Sequence, residues 1–416
     1  MKMSKIREIC QQAKTSSYQI ARCSTDQKNN VLKLIANKLY EQRKYLLEQN
    51  NIDLHIAKER GQTPPFLDRL ALNLAIISSM VQGLEDIAQL PDPIGEVDGM
   101  IRRPNGLYIG KKRVPLGVIG IIYESRPNVT IDASALCLKS GNAIVLRGGS
   151  EAINTNRALV NLVKEALQEE GITPEAIQLV EDTDRSSVIE MMKMRGYIDV
   201  LIPRGGENLI RAVVENSSIP VIKTGEGNCH IYVDEDADEK MAEEIIINAK
   251  TSRTAVCNAA ESLLFTEKVA EKFITQILLK LQEAKVEIRG CPKVRELFAN
   301  CKIANEEDWY AEYLDYIISV KIVKDINEAI SHINHYGTHH SDVIITNNYQ
   351  NAQKFLEEVD SAAVFVNASS RFTDGYEFGM GAEIGISTQK LHARGPMGLK
   401  ELTTYKYIIY GNGQIR

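Results

Sequence analysis

From Leu116 onward the chain repeats one pattern: a short apolar run, a helix-length amphipathic segment, another apolar run. The runs are Leu116–Tyr123, Asn142–Arg147, Ile177–Val180, Ile198–Pro203, Pro220–Lys223 and His230–Val233, with helices expected near 129–139, 151–169, 185–195 and 206–216. Strands joined through a helix run parallel, with right-handed crossovers. Such a sheet takes ligands at the carboxyl ends of its strands. A second series follows, with helix 239–249, strand Ser262–Phe265, helix 267–284, strand Ile317–Val323, helix Ile326–His335, and strands Val343–Ile345 and Ala362–Val366. The fold class expected is α/β, with two parallel-sheet domains.

Three segments lie outside this alternation. The first 90 residues read as helices, one opened by a capping box at Ser24–Gln27 and another by Thr63-Pro64-Pro65, with Leu67, Leu70, Leu74 and Ile77 on one side. Asn105-Gly106 sits between two strand-like halves, IRRP and LYIGKKRV, the signature of a hairpin. The tail Thr403–Tyr410 (TTYKYIIY) is a strand pattern without an obvious partner in either domain.

Composition narrows the function. A length of 416 residues accommodates two sizeable domains. A net charge of −6, with no block of five like charges, excludes nucleic acid as the main partner, because phosphate backbones require a basic face. The run LGVIGIIY is too short to span a bilayer, and MKMSKIREIC has no apolar secretory core. Seven cysteines without a CxxC pair argue against a disulfide framework, so a soluble protein of the cytoplasm is expected.

Cys257 lies in KTSRTAVCNAAE, just beyond a helix, among small residues and after Lys250 and Arg253. Nearby cations and an open backbone are what a reactive thiolate needs; the alternative is a buried packing cysteine. Around it, in order, stand PLGVIG (115–120), GNAIVLR (141–147), PRGG (203–206), Asp236-Ala237-Asp238, and Glu312 followed by DINEA (325–329).

This order and spacing resemble the aldehyde dehydrogenase superfamily over almost the whole chain. Four stretches, YESRPNVTID (123–132), LIPRGG (201–206), GNCHIYVD (227–234) and HHSD (339–342), resemble its gamma-glutamyl phosphate reductase family in particular. The resemblance implies a Rossmann-like NADP-binding domain (1–98 and 113–238), a catalytic domain carrying Cys257 (239–387), and a β-strand oligomerisation arm (99–112 and 400–416). It further implies NADPH-dependent reduction of L-glutamate 5-phosphate to the 5-semialdehyde through a Cys257 thioester, the second step of proline biosynthesis. A homo-oligomer is expected. Because the chain has no kinase domain, the acyl phosphate must come from a separate glutamate kinase, with which association is possible.

By the same resemblance, Asn128 supplies the oxyanion contact, with Ser125 as the alternative register and a helix cap as the structural one. Arg147 stands where the superfamily has a lysine on the adenosine ribose, and Ser150 where NAD-preferring members often have a glutamate; together they favour NADP. Arg204, Gly205 and Gly206 lead into a helix N-terminus suited to pyrophosphate. Glu312 matches the residue that positions the nicotinamide ribose. Arg126, Lys250 and Arg253 are candidate contacts to substrate phosphate or carboxylate. The general-base glutamate of many aldehyde-oxidising relatives falls near Thr224 here, so that base is absent or displaced to Glu226. His332, His335, His339 and His340 lack the fixed supporting ligands of a zinc site and are read as caps and interface hydrogen bonds, with no metal expected. Two other readings are an aldehyde dehydrogenase that acylates coenzyme A, and a catalytically silent scaffold for the kinase.

Overall fold

Parallel sheets with crossover helices form where the alternation predicts them, and they sort into two units. The computed structural model describes residues 4–416. One unit comprises the chain up to Thr224 together with Gly379–Gly385 and Met397–Arg416. The other comprises Gly225–Phe378 and Ile386–Pro396.

The first unit is built on a four-stranded parallel sheet in the order Ile177–Leu179, Ala143–Arg147, Val118–Tyr123, Val200–Arg204. Val118–Tyr123 and Ala143–Arg147 are buried along their whole length, as expected of central strands covered on both faces. Helix Lys5–Ile20 seats Ile6, Cys10 and Ala13 in the same core as Val118, Ile122 and Val145. The capping box forms at Ser24 and Gln27. The helix expected after Thr63 is two helices, Pro64–Leu70 and Leu74–Gln89, because the Asn73 side chain caps the second by accepting from the Ile76 N–H. Pro220–Lys223 is not a strand. Proline has no N–H to extend a ladder, and the segment makes one bridge, Val221 to Leu201.

A separate antiparallel sheet in this unit has the order Val97–Arg102, Tyr108–Pro115, Thr403–Tyr410. Asn105-Gly106 lies in its hairpin loop, where Gly106 adopts φ +86° and donates its N–H to the Arg103 carbonyl at 2.9 Å. The tail strand does have an intramolecular partner: it pairs with Tyr108–Pro115 from Thr403↔Pro115 to Tyr410↔Tyr108.

The second unit holds a seven-stranded parallel sheet: Lys302–Ile303, Glu287–Gly290, Ile317–Val323, Ala260–Thr266, Cys229–Val233, Ser341–Ile345, Ala363–Val366. The strand beginning near His230 therefore belongs to this sheet and not to the first series. It lies between Ala260–Thr266 and Ser341–Ile345, whose ladders it completes. Phe265, Phe273, Ile274 and Ile277 are buried where helix Glu267–Glu283 packs on the sheet. Because all seven strands run the same way, the segments entering them converge on one edge: Gly227-Asn228, Cys257–Ala259, Glu312–Leu314 and Thr338–His340. Among the described residues no helix is long and apolar enough to cross a membrane.

Candidate active site

Asp238 caps helix Glu239–Thr251, accepting from the Met241 N–H, and after Thr251 the chain loops through Cys257 before entering strand Ala260–Thr266. Cys257 is part-exposed. Burial pushes the thiol of Cys10 up to about 12 and raises those of Cys23, Cys137, Cys229 and Cys301. The Cys257 backbone is fixed from two sides. Cys229 Sγ donates to the Cys257 carbonyl at 3.2 Å, and Gly227 packs against the same carbonyl so closely that a Cβ would lie 1.4 Å from its oxygen. The Gly227 N–H in turn donates to Glu312 Oε1 at 2.7 Å. Glu312 is half-buried, and desolvation raises its carboxyl above the ordinary range although the Gly227 N–H opposes this. Cys257 and Glu312 thus belong to one hydrogen-bonded constellation.

The two cations flanking the loop separate. Arg253 is exposed. Lys250 is fully buried, and its ammonium binds Glu261 Oε2 at 2.5 Å, itself fully buried. The contact to a substrate anion expected of Lys250 is therefore corrected to an internal ion pair. Glu261 Oε1 also accepts the Leu314 N–H at 3.2 Å, so the pair ties both ends of the Cys257 loop to the segment carrying Glu312. Desolvation lowers the lysine and raises the carboxyl, and their mutual attraction opposes both shifts.

The four histidines of 332–340 make hydrogen bonds or polar contacts within the second unit. His332 Nδ1 faces Lys321 Nζ at 3.1 Å, and burial lowers its pKa to about 2. His335 pairs with the Tyr310 hydroxyl and His339 with the Asp360 carbonyl. His340 Nδ1 lies 2.8 Å from Ser341 Oγ.

In the first unit, the candidate cofactor residues gather at the carboxyl edge of the four-stranded sheet. Arg147 ends one strand and Arg204 another, and the exposed Ser150 begins a 3₁₀ turn. Arg147 is 8% exposed; one Nη donates to the Gly148 carbonyl and the other to those of Thr183 and Asp184, while Nε is buried without a partner. Gly206 caps helix Glu207–Asn216, and its N–H donates to Glu124 Oε2 at 3.0 Å. A carboxylate therefore occupies the anion position at this helix N-terminus. A Cβ on Gly205 would lie 2.5 Å from the same oxygen, so the Glu124 side chain would have to shift to admit one.

Asn128 is the first residue of helix Asn128–Lys139; the cap position is Pro127. The Asn128 amide donates to Asp132 Oδ2 at 3.0 Å. Ser125, the alternative, is held at φ +35° with its N–H and hydroxyl both donating to Glu151 Oε1, at 2.9 and 2.7 Å. Arg126 is exposed. Thr224 is buried and its hydroxyl donates to the Pro203 carbonyl at 3.2 Å, so no carboxylate occupies that place.

Residues 1–294 match the aldehyde dehydrogenase family. The chain is 60% identical over 406 residues to a gamma-glutamyl phosphate reductase of Clostridium botulinum, covering 98% of both chains. It is 58% identical over 414 residues to the enzyme of that name from Carboxydothermus hydrogenoformans, covering both chains completely. The crystal structure of the gamma-glutamyl phosphate reductase of Thermotoga maritima superposes with a TM-score of 0.98 at 51% identity, covering 99% of this chain and 100% of that one. The chain belongs to the gamma-glutamyl phosphate reductases, within the aldehyde dehydrogenase family.

Its α/β architecture is accordingly that of an aldehyde dehydrogenase. An acetylating aldehyde dehydrogenase of Geobacillus thermoglucosidasius shares the fold at 18% identity, with a TM-score of 0.68 and 99% of this chain covered. As a member of this family the chain is an oxidoreductase that uses a nicotinamide cofactor. The structure also brings up residues that the sequence did not single out. Glu261 follows Cys257 by four positions but reads as an ordinary strand residue until Lys250 is seen against it. Asp132 lies within YESRPNVTID, and only the fold reveals that desolvation pushes its carboxyl up to about 6 beside Asn128.

Proposed function

We propose that this gamma-glutamyl phosphate reductase family member reduces L-glutamate 5-phosphate to L-glutamate 5-semialdehyde and inorganic phosphate with NADPH, as the second step of proline biosynthesis. The observation that carries the reading is Cys257: a part-exposed cysteine on a loop fixed by Gly227, in a chain that has Thr224 where oxidising relatives place a water-activating glutamate.

The Cys257 thiolate attacks the glutamyl carbonyl, the carbon–oxygen bond to phosphate breaks, and a thioester remains. Covalent catalysis divides one difficult displacement into two easier steps. Asn128 is the side-chain donor assigned to the oxyanion, with Asp132 holding its amide. Thr224 cannot act as the water-activating base that a glutamate supplies in oxidising relatives, an effect worth typically 10²–10⁴-fold, which leaves Glu226 as the displaced alternative. Without such a base the acyl group is kept for reduction.

The residues fit a dinucleotide. The Gly206 N–H already attracts a carboxylate, which a pyrophosphate would replace, and Arg204, Gly205 and Gly206 form its turn. Arg147 and the uncharged Ser150 stand at the ribose end and support NADP over NAD, since a glutamate in the place of Ser150 would repel a 2′-phosphate. Glu312 is assigned to the nicotinamide ribose. Bound NADPH supplies the hydride. Arg253 and Arg126 are assigned to the substrate anions.

The reading extends to a cytoplasmic homo-oligomer assembled through the three-stranded arm, whose outer strand exposes Tyr405, Tyr407 and Ile409. It takes its substrate from a separate glutamate kinase, whether or not the two associate. The reverse reaction tests the function: glutamate semialdehyde, NADP and phosphate should yield NADPH absorbance in proportion to phosphate. NADPH formation that ignored phosphate would exclude the reading, and dependence on coenzyme A instead would favour the acylating alternative.

A further inference from the structure

The segment after strand Ala363–Val366 is laced to the nucleophile loop. The buried Asn258, next to Cys257, donates its amide to the carbonyls of Arg371 at 3.2 Å and Thr373 at 2.9 Å. Ser370 Oγ donates back to the Asn258 carbonyl at 2.7 Å. The Arg371 side chain then reaches the other end of the loop, where Nε donates to Ser252 Oγ at 3.2 Å, beside Arg253. The Arg371 main chain is thus anchored next to the nucleophile, and its guanidinium next to a second guanidinium.

We propose that Arg371, with Arg253, seats the phosphate group of the acyl phosphate beside Cys257. This deepens the acyl-phosphate reading above and rests on it. In γ-glutamyl phosphate the attacked carbon is one oxygen away from phosphorus, whereas the α-carboxylate lies four carbon–carbon bonds further off. Cations at the thiol therefore meet the phosphate first. When sulfur bonds to the carbonyl carbon and the carbon–oxygen bond breaks, the electron pair leaves on the phosphate oxygen. The proton lost by the thiol matches the one that phosphate gains. A guanidinium held through Nε presents the parallel N–H groups of its Nη end, the geometry suited to a phosphate.

The electrostatics agree. Burial first, then the like charge of Arg253, lowers the Arg371 pKa; Asp374 and the thiols of Cys257 and Cys229 act in the opposite direction. Two guanidinium groups within reach of each other are unfavourable unless an anion lies between them, and a phosphate dianion supplies that charge.

The test uses the full chain with Arg371→Gln and, as a second variant at an exposed position, Arg253→Gln. In the reverse reaction each should raise KM for phosphate roughly tenfold or more, the scale of losing a charge-assisted contact. KM for glutamate semialdehyde and for NADP should stay within about twofold, and Arg371→Lys should recover part of the loss. Inorganic phosphate should slow iodoacetamide alkylation of Cys257 in the parent protein and not in Arg371→Gln, a readout independent of turnover. Equal protection in both, or a rise in KM for the semialdehyde alone, would overturn the proposal. Protection lost in the variant, with parent turnover indifferent to phosphate, would keep the anion seat and remove the acyl-phosphate reading instead.

Discussion

Gly227 and Cys257 meet backbone to backbone, with the space for a Cβ on Gly227 already filled by the Cys257 carbonyl, 1.4 Å from the oxygen and 2.3 Å from the carbon. The neighbour is main chain and cannot swing aside as a side chain would. Gly227→Ala should therefore displace the nucleophile loop, abolish turnover and cost at least about 3 kcal/mol, in the range of severe core overpacking. Urea unfolding and the reverse assay together check this. An active, equally stable variant would show that the loop has slack.

Cys257→Ser is nearly isosteric and should remove turnover while leaving the unfolding midpoint in place. Iodoacetamide followed by peptide mapping should mark Cys257 ahead of Cys137 and Cys229, whose thiols burial pushes up. Preferential labelling of either buried cysteine would reassign the nucleophile.

Glu261→Gln strands the buried Lys250 ammonium without its counter-charge. Breaking a buried pair from one side costs roughly 3–5 kcal/mol, whereas replacing both partners by apolar residues is far milder. The double variant Lys250→Met/Glu261→Leu should thus be more stable than Glu261→Gln in urea. The opposite order would mean that Lys250 is carried neutral in the fold.

Asp132 has a folded-state value near 6, above the 3.8 of an ordinary aspartate. The folded chain then binds more protons than the unfolded one between these values, so stability falls as pH rises through the window and the penalty is complete above about pH 6. Asp132→Asn should be more stable than the parent by roughly 1–3 kcal/mol at pH 7.5, with the gap closing toward pH 4. Urea midpoints at pH 5 and 7.5 measure it.

Arg147→Ala should weaken NADPH about ten- to a hundredfold and NADH much less, if its charge serves the 2′-phosphate. Equal losses for both cofactors would place Arg147 in a backbone-bracing role, through the carbonyls of Gly148, Thr183 and Asp184.

What the sequence made legible was local. The hairpin at Asn105-Gly106 follows from turn chemistry within four residues, and the helix after Ser24 from a capping box within another four. The small residues around Cys257 and its place after a helix also suit a packing cysteine, and it was the order of motifs along the chain that singled it out. Strand-and-helix alternation does not say which sheet a strand joins, which is why the strand starting near His230 was assigned to the wrong series. Lys250 read as an anion ligand because one-dimensional proximity to a cysteine cannot reveal that Glu261, eleven residues on and in a strand, closes on it in the core. Arg371 stands more than a hundred residues from Cys257, and only the hydrogen bonds of Asn258 bring it to the loop.

The central strand of the arm, Tyr108–Pro115, is completed on one side by a hairpin neighbour and on the other by the last strand of the chain. During synthesis the second unit can close around its own contiguous stretch from Gly225 onward, while Tyr108–Pro115 waits with one edge bare until Thr403–Tyr410 has left the ribosome. The arm's sheet is thus closed only when the segment 403–410 joins strands made about three hundred residues earlier. Without Thr403–Tyr410, the strand Tyr108–Pro115 would keep an open edge, prone to pair with other chains, while the Cys257 loop of the second unit would keep its own contacts.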